Sequence, residues 1–276
     1  MLSLQHLTVS LGKKVVLRDV SLDVEPKDAV VVLGDEGSGK TTLLKLLTRE
    51  LRPDEGVLKI DGANLAQVPR EVLRLYREKV GYLHEDARLD DALTIAQNVG
   101  AFLDMRGVPA AERDRAVADL LKRFHLTGVE DARPSRVSRG ERQLAAIARA
   151  IATGPLIAVL DEPFQGLSDE SAALAASLLQ NMQKKGTTVI VASAESRTAG
   201  FFKKARVVRL QRGKLTEDAA PAEASHARMR EIAQTATADL VERSETAIVK
   251  PVDPDVTETA DAPGKKKVRI TAVGSL

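Results

Sequence analysis

A glycine-rich segment between an apolar run and a leucine-rich run constrains the fold more than any other feature of this sequence. Residues 34–41 read Gly-Asp-Glu-Gly-Ser-Gly-Lys-Thr and fit the pattern G-x-x-x-x-G-K-[ST] at every fixed position. The preceding residues, Ala29–Leu33, predict a buried strand, and the leucines that follow predict a helix. A strand, a glycine-rich turn and a helix in this order are typical of a loop that binds nucleotide phosphates.

Each position of this phosphate loop has a predicted task. The glycines let successive backbone N–H groups point at phosphate oxygens, and the helix N-terminus adds a partial positive charge. Lys40 is expected to bind the β- and γ-phosphates, and the Thr41 hydroxyl to bind Mg²⁺. The candidate ATP-binding residues are therefore Gly34, Asp35, Glu36, Gly37, Ser38, Gly39, Lys40, Thr41 and Thr42.

A second apolar run ends in two carboxylates. Leu156–Leu160 predicts a buried strand, and Asp161 and Glu162 follow it directly. Nucleotide phosphates and Mg²⁺ bind at the edge where parallel strands end, so we expect Asp161 to bind Mg²⁺ together with Thr41. Glu162 is the candidate catalytic residue, because a carboxylate there can orient the attacking water. Acidic residues often end strands, so this pair is informative mainly because the phosphate loop is also present.

The rest of the pattern predicts an α/β fold. Short β-branched runs such as Thr187–Ala192 and Arg206–Leu210 alternate with helical patterns, which indicates a mostly parallel sheet covered on both faces. Residues 1–25 instead read as short strands with turn signals, which predicts an antiparallel flap. Residues 91–152 carry no convincing strand pattern and indicate a helical insertion.

Composition excludes several classes of protein. The chain has 276 residues and no cysteine, which excludes a disulfide scaffold, thiolate metal sites and a cysteine nucleophile. Aromatic residues make up only 3%, so the core must be aliphatic. The net charge of +2 gives no reason to expect nucleic-acid binding. No apolar run reaches the ~18–20 residues that span a bilayer, so we expect the chain not to cross a membrane by itself.

The composition changes after Thr216. Residues 217–249 read as a linker or one amphipathic helix, whereas residues 250–276 are rich in Pro, Asp, Thr and Ala and predict a disordered tail. The basic cluster near Lys265 is small, so we interpret it as part of a solvated tail rather than as a binding site.

Residues 137–150, Val-Ser-Arg-Gly-Glu-Arg-Gln-Leu-Ala-Ala-Ile-Ala-Arg-Ala, resemble the signature segment L-S-G-G-[QE] of ABC-type ATPases. The resemblance extends in collinear order from residue 1 to about residue 214. The segments GKTTLLKLLTRELRPDEGVLKIDG and ARVVRLQRGKL are especially similar to the subfamily that contains the cell-division ATP-binding protein FtsE and the lipoprotein- and macrolide-export ATPases.

This resemblance implies a P-loop NTPase fold with a RecA-like parallel sheet, an antiparallel β flap and an α-helical subdomain at about residues 88–152, all within an ATP-binding domain of residues 1–216. It implies ATP and Mg²⁺ as cofactors. It also implies a homodimer or heterodimer in which two such domains face head to tail, with ATP between the phosphate loop of one and the signature of the other. The signature residues that would contact ATP in this way are Ser138, Arg139, Gly140 and Glu141.

The resemblance further implies a place in the cell. An FtsX-like integral membrane permease subunit is the expected partner, no nucleic acid is expected, and the chain would be cytoplasmic and peripheral at the inner face of the cell membrane.

Five positions depart from the family pattern. The aromatic residue that stacks on adenine is replaced by Leu11, and the Q-loop glutamine by Glu85, which could still bind Mg²⁺ but adds negative charge near the γ-phosphate. The first glycine of the signature is Arg139. The D-loop aspartate aligns with Ser168, and the switch histidine with Ala194.

Some residues allow two interpretations. Ser138 and Glu141 fit a helix capping box as well as a nucleotide contact. Arg139 either obstructs the signature or lies on the surface, which we favour, or it reaches the γ-phosphate of a second subunit. His84 is expected to be a solvent-facing loop residue with no identifiable partner rather than a catalytic group.

Three functions follow from these features. The first is an ATP-binding subunit of an ABC-type complex, with slow hydrolysis that acts on a separate membrane partner. The second is an ATP-sensing module with little or no hydrolysis. The third, a non-transport ABC protein acting on nucleic acid or ribosomes, is least favoured because such proteins usually carry two ATPase domains in one chain. The intact loop and the two carboxylates favour the first function, and the losses at Leu11, Glu85, Arg139 and Ala194 favour the second.

Overall fold

The computed structural model describes residues 2–86, 89–202 and 204–217. The predicted linker or helix at 217–249 lies outside these residues, except for Glu217, which ends the last strand. The predicted disordered tail at 250–276 also lies outside them.

The described chain forms ten strands and seven α-helices. The N-terminal part contains β1 (Leu2–Leu11), β2 (Lys14–Val24), β3 (Ala29–Leu33), α1 (Lys40–Leu47), β4 (Glu55–Ile60), β5 (Ala63–Asn64), α2 (Arg70–Glu78) and β6 (Val80–Leu83). The rest contains α3 (Ile95–Met105), α4 (Ala110–Arg123), α5 (Arg139–Ile151), β7 (Ile157–Asp161), α6 (Asp169–Lys184), β8 (Thr188–Ser193), α7 (Arg197–Phe201), β9 (Arg206–Gln211) and β10 (Lys214–Glu217).

A six-stranded sheet forms the centre, with the strand order β10-β9-β3-β8-β7-β6. All of its pairs are parallel except β9 with β10. Val31 of β3 pairs with Val191 of β8 and with Val207 of β9, and this row is buried in the core on one face of the sheet. Val30 and Val32 are buried in the core on the other face, so the sheet is covered on both sides. The prediction of a mostly parallel, doubly covered sheet is confirmed.

A second, antiparallel sheet has the strand order β2-β1-β4-β5. The flap predicted from residues 1–25 is its first hairpin, which turns at Gly12 with a φ of 62°. The sequence did not reveal β4 and β5. Both are short strands with mixed burial, so their alternation between apolar and polar residues is weak.

Three helices, α3 to α5, occupy residues 95–151, with a 3-10 turn at Pro134–Arg136 before α5. Both α3 and α5 begin with a capping box, formed by Thr94 with Gln97 and by Ser138 with Glu141. Each box satisfies two backbone N–H groups that the first helical turn leaves free.

The core lies on the two faces of the central sheet. One layer packs α3 to α6 against it, and the other packs α1 and the antiparallel sheet against it. The core is mainly aliphatic, as the composition predicted, with a small cluster of Phe164, Phe201 and Phe202. No helix in the described part of the chain is long and apolar enough to cross a membrane.

Candidate functional site

The phosphate loop joins β3 to α1 at the carboxyl edge of the central sheet. Gly37 and Gly39 have φ values of 73° and 110°, which other residues rarely adopt, so the loop needs glycine at both positions. No side chain of the described residues caps α1. The Ser38 hydroxyl is buried and has no hydrogen-bond partner among the described residues. Uncapped N–H groups and an unpaired hydroxyl suit the oxygen atoms of bound phosphates.

Lys40 lies at the centre of this loop and is 7% exposed. Its Nζ donates to the carbonyl oxygens of Gly34 at 2.8 Å and Asp35 at 3.2 Å. The same ammonium lies 3.3 Å from Oε1 of Glu162. The structure therefore brings the predicted phosphate-binding cation and the predicted catalytic carboxylate into direct contact.

Glu162 is 5% exposed and is held from three directions. Its Oε1 accepts the backbone N–H of Ala194 at 2.8 Å, and its own N–H donates to the Ala192 carbonyl at 2.9 Å. The φ of Glu162 is 45°, in the left-handed region that a non-glycine residue rarely occupies. From α5, the Gln143 side chain donates to the backbone carbonyl of Glu162 at 3.2 Å, which ties α5 to the backbone of this residue.

Asp161 ends β7 and is fully buried. Burial raises the pKa of its carboxyl group to about 6, the nearby Thr41 hydroxyl opposes the rise, and the charge of Glu85 adds to it. Neither carboxylate oxygen makes a hydrogen bond of ordinary geometry within the described chain. Two orphaned oxygens beside a hydroxyl fit Mg²⁺, which prefers hard oxygen ligands. In the described residues, no group of three or more His, Asp or Glu side chains could hold a metal ion.

We expect Asp161→Asn to stabilise the nucleotide-free protein at neutral pH. The pKa of the Asp161 carboxyl group is near 4 in the unfolded chain and about 6 in the folded protein. Between these two pH values the folded protein therefore binds a proton that the unfolded chain has released. Stability is therefore lost as the pH rises through this window. At pH 7 the ionised carboxylate costs up to about 3 kcal/mol in the free energy of unfolding.

Urea unfolding at pH 5 and at pH 7.5 tests this expectation. The variant should have a larger free energy of unfolding than the wild type at pH 7.5, and the difference should be smaller at pH 5. Saturating Mg²⁺-ATP should stabilise the wild type more than the variant. Equal pH profiles of the two proteins would contradict the assignment of a buried, uncompensated carboxylate.

The structure shows where the residues that depart from the family pattern lie. Leu11, at the adenine position, is 50% exposed at the end of β1. Glu85 is exposed beyond β6, and its charge reaches Asp161. The structure gives His84 the partner that the sequence did not identify, because its Nε2 lies 3.9 Å from Oε1 of Glu50 and its ring lies 4.1 Å from the ring of Tyr82. A partner at the end of α1 could not be inferred from the spacing along the chain.

The signature residues lie at the N-terminus of α5. The Ser138 N–H donates to Oε2 of Glu141 at 2.8 Å, and the Glu141 N–H donates to the Ser138 hydroxyl at 3.2 Å. Hydrogen bonding of the Ser138 side chain and backbone to the Glu141 carboxylate lowers the pKa of Glu141. Gly140 is partly buried, and Arg139 is exposed, with its guanidinium over Gly166. A Cβ placed on Gly166 would lie 2.9 Å from Nε of Arg139.

Ser168, at the predicted D-loop position, caps α6 by accepting the Ser171 N–H at 3.2 Å. The neighbouring Asp169 pairs with Arg197 at 2.5 Å. Arg197 also binds Glu195 at 2.6 Å and donates to the Leu167 carbonyl, so it joins the loop after β8 to the loop after β7. Sequence analysis missed Arg197 and Gln143, although a glutamine inside the apolar pattern of α5 was a usable signal.

The site geometry and the parallel sheet define a P-loop NTPase. The family model described as "ABC transporter" matches residues 17–165, more than half of the chain. The chain belongs to the ABC transporter family.

Three curated relatives illustrate its range. A methionine import ATP-binding protein, MetN, of Thermobifida fusca is 37% identical over 186 residues, which are 67% of this chain and 58% of that protein. A probable ABC transporter ATP-binding protein of Azorhizobium caulinodans is 32% identical over 73% of this chain and 72% of its own length. The cell division ATP-binding protein FtsE of Streptococcus pneumoniae is 30% identical over 73% of this chain and 87% of its own length.

Solved structures agree with the fold. The dimeric structure of MJ0796, a bacterial ABC transporter cassette, superposes with a TM-score of 0.73 at 26% identity and covers 80% of this chain and 99% of that one. CbiO1 from Clostridium perfringens, at 23% identity, has a TM-score of 0.69 and covers 87% of this chain and 98% of that one.

Proposed function

We propose that this chain is the ATP-binding subunit of an ABC-type complex, and that it hydrolyses ATP slowly to drive a separate integral membrane subunit. The observation that carries the proposal is the meeting of Lys40, Glu162 and Asp161 at one edge of the sheet, with Lys40 and Glu162 only 3.3 Å apart. Residues 1–216 would form the ATP-binding domain, with a helical subdomain at about 88–152.

The chemistry divides among a few groups. Lys40 leaves the carbonyl oxygens of its own loop and neutralises charge on the β- and γ-phosphates. Mg²⁺, held through Thr41 and Asp161, would polarise the phosphoryl oxygens. Glu162, freed from Lys40, accepts a hydrogen bond from the attacking water and places it in line with the γ-phosphate. The Ala194 N–H keeps Oε1 of this carboxylate oriented.

Slow turnover follows from two replaced groups. Ala194 offers only its backbone N–H where the family pattern has a histidine, and Glu85 adds negative charge near Asp161. Loss of one preorganised contact typically costs ~10²–10³ in rate. The alternative, an ATP sensor that binds without hydrolysis, rests on these same two positions. Phosphate release by the full chain with Mg²⁺-ATP separates the two: turnover that Glu162→Gln removes supports the slow ATPase, and tight binding with no turnover supports the sensor.

The subunit would form a head-to-tail dimer of two ATP-binding domains and sit at the cytoplasmic face of the cell membrane against an FtsX-like permease. The FtsE relative and the dimeric MJ0796 cassette support this arrangement. The dimer would place ATP between one phosphate loop and the signature residues of the other domain.

An exposed apolar surface offers a contact for the permease. Arg106, after α3, donates to the carbonyl oxygens of Glu78 and Thr153, so the ends of α2 and α3 meet the segment before β7. Each of these three segments exposes large apolar side chains. The most exposed in each segment are Leu75 at 52%, Met105 at 80% and Leu156 at 59%.

Met105→Glu is expected to weaken binding to the membrane subunit at least tenfold, because a charge replaces a buried apolar contact. Cosedimentation with inverted native membrane vesicles measures this binding. Vesicles made of the extracted lipids alone should bind neither the wild type nor the variant. Thr127→Glu, an exposed change after α4, is the matched control. If both variants sedimented equally with the vesicles, this apolar surface would not be the contact for the membrane subunit.

A further inference from the structure

The chain contains two tyrosines, and their hydroxyl groups differ in how they are paired. The hydroxyl of Tyr76 is buried and donates to the backbone carbonyl of Leu47. The hydroxyl of Tyr82 is also buried, but it has no hydrogen-bond partner among the residues that the structure describes. A buried hydroxyl without a partner costs free energy, so its presence in a native protein needs a reason.

Tyr82 lies on β6, beside the strand that ends in Asp161. In the parallel register of β6 and β7, Tyr82 is opposite Val159, and both side chains pack into the core on the face of the sheet that α1 covers. Asp161 is two residues further along β7, so its side chain leaves the sheet on the same face. From the spacing of strands and residues, the Cα atoms of Tyr82 and Asp161 are about 8 Å apart, which is within the reach of an aromatic side chain.

The electrostatic environment of Tyr82 is acidic. Burial raises the pKa of the Tyr82 hydroxyl, and the negative charge of Asp161 adds to the rise. Smaller contributions of the same sign come from Glu50, Asp86 and Glu85. The hydroxyl therefore keeps its proton at neutral pH and is available as a donor to a carboxylate.

Asp161 has the complementary deficit. Its carboxylate is buried, and neither oxygen makes a hydrogen bond of ordinary geometry within the described chain. A carboxylate that binds a metal ion is normally held by a hydrogen bond from a second protein group, which orients it. The hydroxyl of Thr41, which also lies beside Asp161, is expected to bind the ion itself and so cannot supply this bond. Tyr82 offers an unpaired donor on the same face of the sheet.

We propose that Tyr82 is a positioning residue for Mg²⁺: when the ion binds with the nucleotide, the Tyr82 hydroxyl donates to the Asp161 carboxylate and fixes its orientation. This inference rests on the proposed function, because it takes Asp161 as a ligand of the ion. It also accounts for the unpaired hydroxyl, since both groups lose water on folding and gain each other as partners when the ion is bound.

Tyr82→Phe tests the proposal, with Tyr76→Phe as the matched control. Calorimetry on the full chain measures the dissociation constant of a non-hydrolysable ATP analogue, once with saturating Mg²⁺ and once with EDTA. In Tyr82→Phe the gain in affinity from Mg²⁺ should fall about tenfold, the lower end of the range for loss of such an outer partner. Affinity in EDTA should stay within about twofold of the wild type, and Tyr76→Phe should keep the full gain.

Urea unfolding separates this role from a structural one. Without nucleotide, Tyr82→Phe should be at least as stable as the wild type, because it removes an unpaired buried hydroxyl. Tyr76→Phe should be less stable, because it leaves the Leu47 carbonyl without its donor. With Mg²⁺ and the analogue, the wild type should gain more stability than Tyr82→Phe. A nucleotide-free Tyr82→Phe protein that is less stable than the wild type would overturn the inference.

Absorption spectroscopy observes the hydroxyl directly. The chain has no tryptophan, so all tyrosine absorption of the Tyr76→Phe protein comes from Tyr82. A phenol that donates to a carboxylate absorbs at longer wavelength, so Mg²⁺ should shift this spectrum to the red when the analogue is bound. The double variant Y76F/Y82F with the same analogue gives the background.

The outcomes distinguish this inference from the function on which it rests. An unshifted spectrum, or an equal gain from Mg²⁺ in Tyr82→Phe and the wild type, would overturn the role of Tyr82. The proposed function would stand in that case, because the wild type would still bind the analogue more tightly with Mg²⁺. A wild type that gains nothing from Mg²⁺ would overturn the proposed function and the role of Tyr82 together.

Discussion

Glu162→Gln is expected to lower ATP hydrolysis at least 100-fold while nucleotide binding is retained. Glutamine has the shape of glutamate, and its carbonyl oxygen can still accept the Ala194 N–H that now holds Oε1 at 2.8 Å. The site therefore keeps its geometry. The neutral amide, however, cannot attract the proton of the attacking water, and removal of one such preorganised group typically costs ~10²–10³ in rate. Single-turnover phosphate release under saturating Mg²⁺-ATP measures the change.

Glu195→Gln is the matched control for this variant. Glu195 lies in the same loop as Ala194, but its carboxylate pairs with Arg197 at 2.6 Å and takes no part in the proposed chemistry. Turnover within about twofold of the wild type is expected. Equal losses in the two variants would show that the loop, and not the Glu162 carboxylate, limits hydrolysis.

Ala194→His tests the same hydrolysis step by adding a group that the family pattern has and this chain lacks. Ala194 is exposed and lines an open hollow beside the phosphate loop together with Gly34 and Asp35, so an imidazole has room there. We expect the turnover to rise tenfold or more in the wild-type background and to stay at the background level in Glu162→Gln. A rise that persists without Glu162 would assign the catalytic role to another group.

Lys40→Ala is expected to weaken ATP binding at least tenfold, which is about 1.4 kcal/mol per decade, and to abolish hydrolysis. The phosphates lose their buried counter-charge in a water-poor site, where charge interactions are strong. The nucleotide-free protein should also become less stable, because the Glu162 carboxylate is left 5% exposed with the Ala194 N–H as its remaining partner.

A double-mutant cycle separates these two effects. Glu162→Gln in the Lys40→Ala background should restore part of the lost stability, measured by urea unfolding, but none of the lost ATP affinity, measured by calorimetry. Lys45→Ala is the control, since Lys45 lies on the same helix and its side chain is only partly buried. Unchanged ATP affinity in Lys40→Ala would contradict the assignment of residues 34–42 to the nucleotide.

Local features determined much of this protein from the sequence alone. The run Ala29–Leu33 is apolar throughout, with three consecutive valines, and is followed by a glycine-rich turn, and both the strand and the turn exist as expected. These features depend on neighbouring residues, because steric restrictions on the backbone and apolar burial act within a few positions of the chain. The helix start at Ser138 is equally local, since the capping box closes over three residues.

The tertiary structure alone decided which distant groups meet. Lys40 and Glu162 are 122 positions apart, and their contact exists because β3 and β7 both pair with β8 and end at one edge of the sheet. The partner of His84, the contacts of Arg197 with Asp169 and the Leu167 carbonyl, and the Gln143 link from α5 arise in the same way. No periodicity encodes these pairs, because a long-range contact depends on how whole strands and helices pack. The orphaned oxygens of Asp161 and the raised pKa of its carboxyl group follow from that packing and not from its neighbours in the chain.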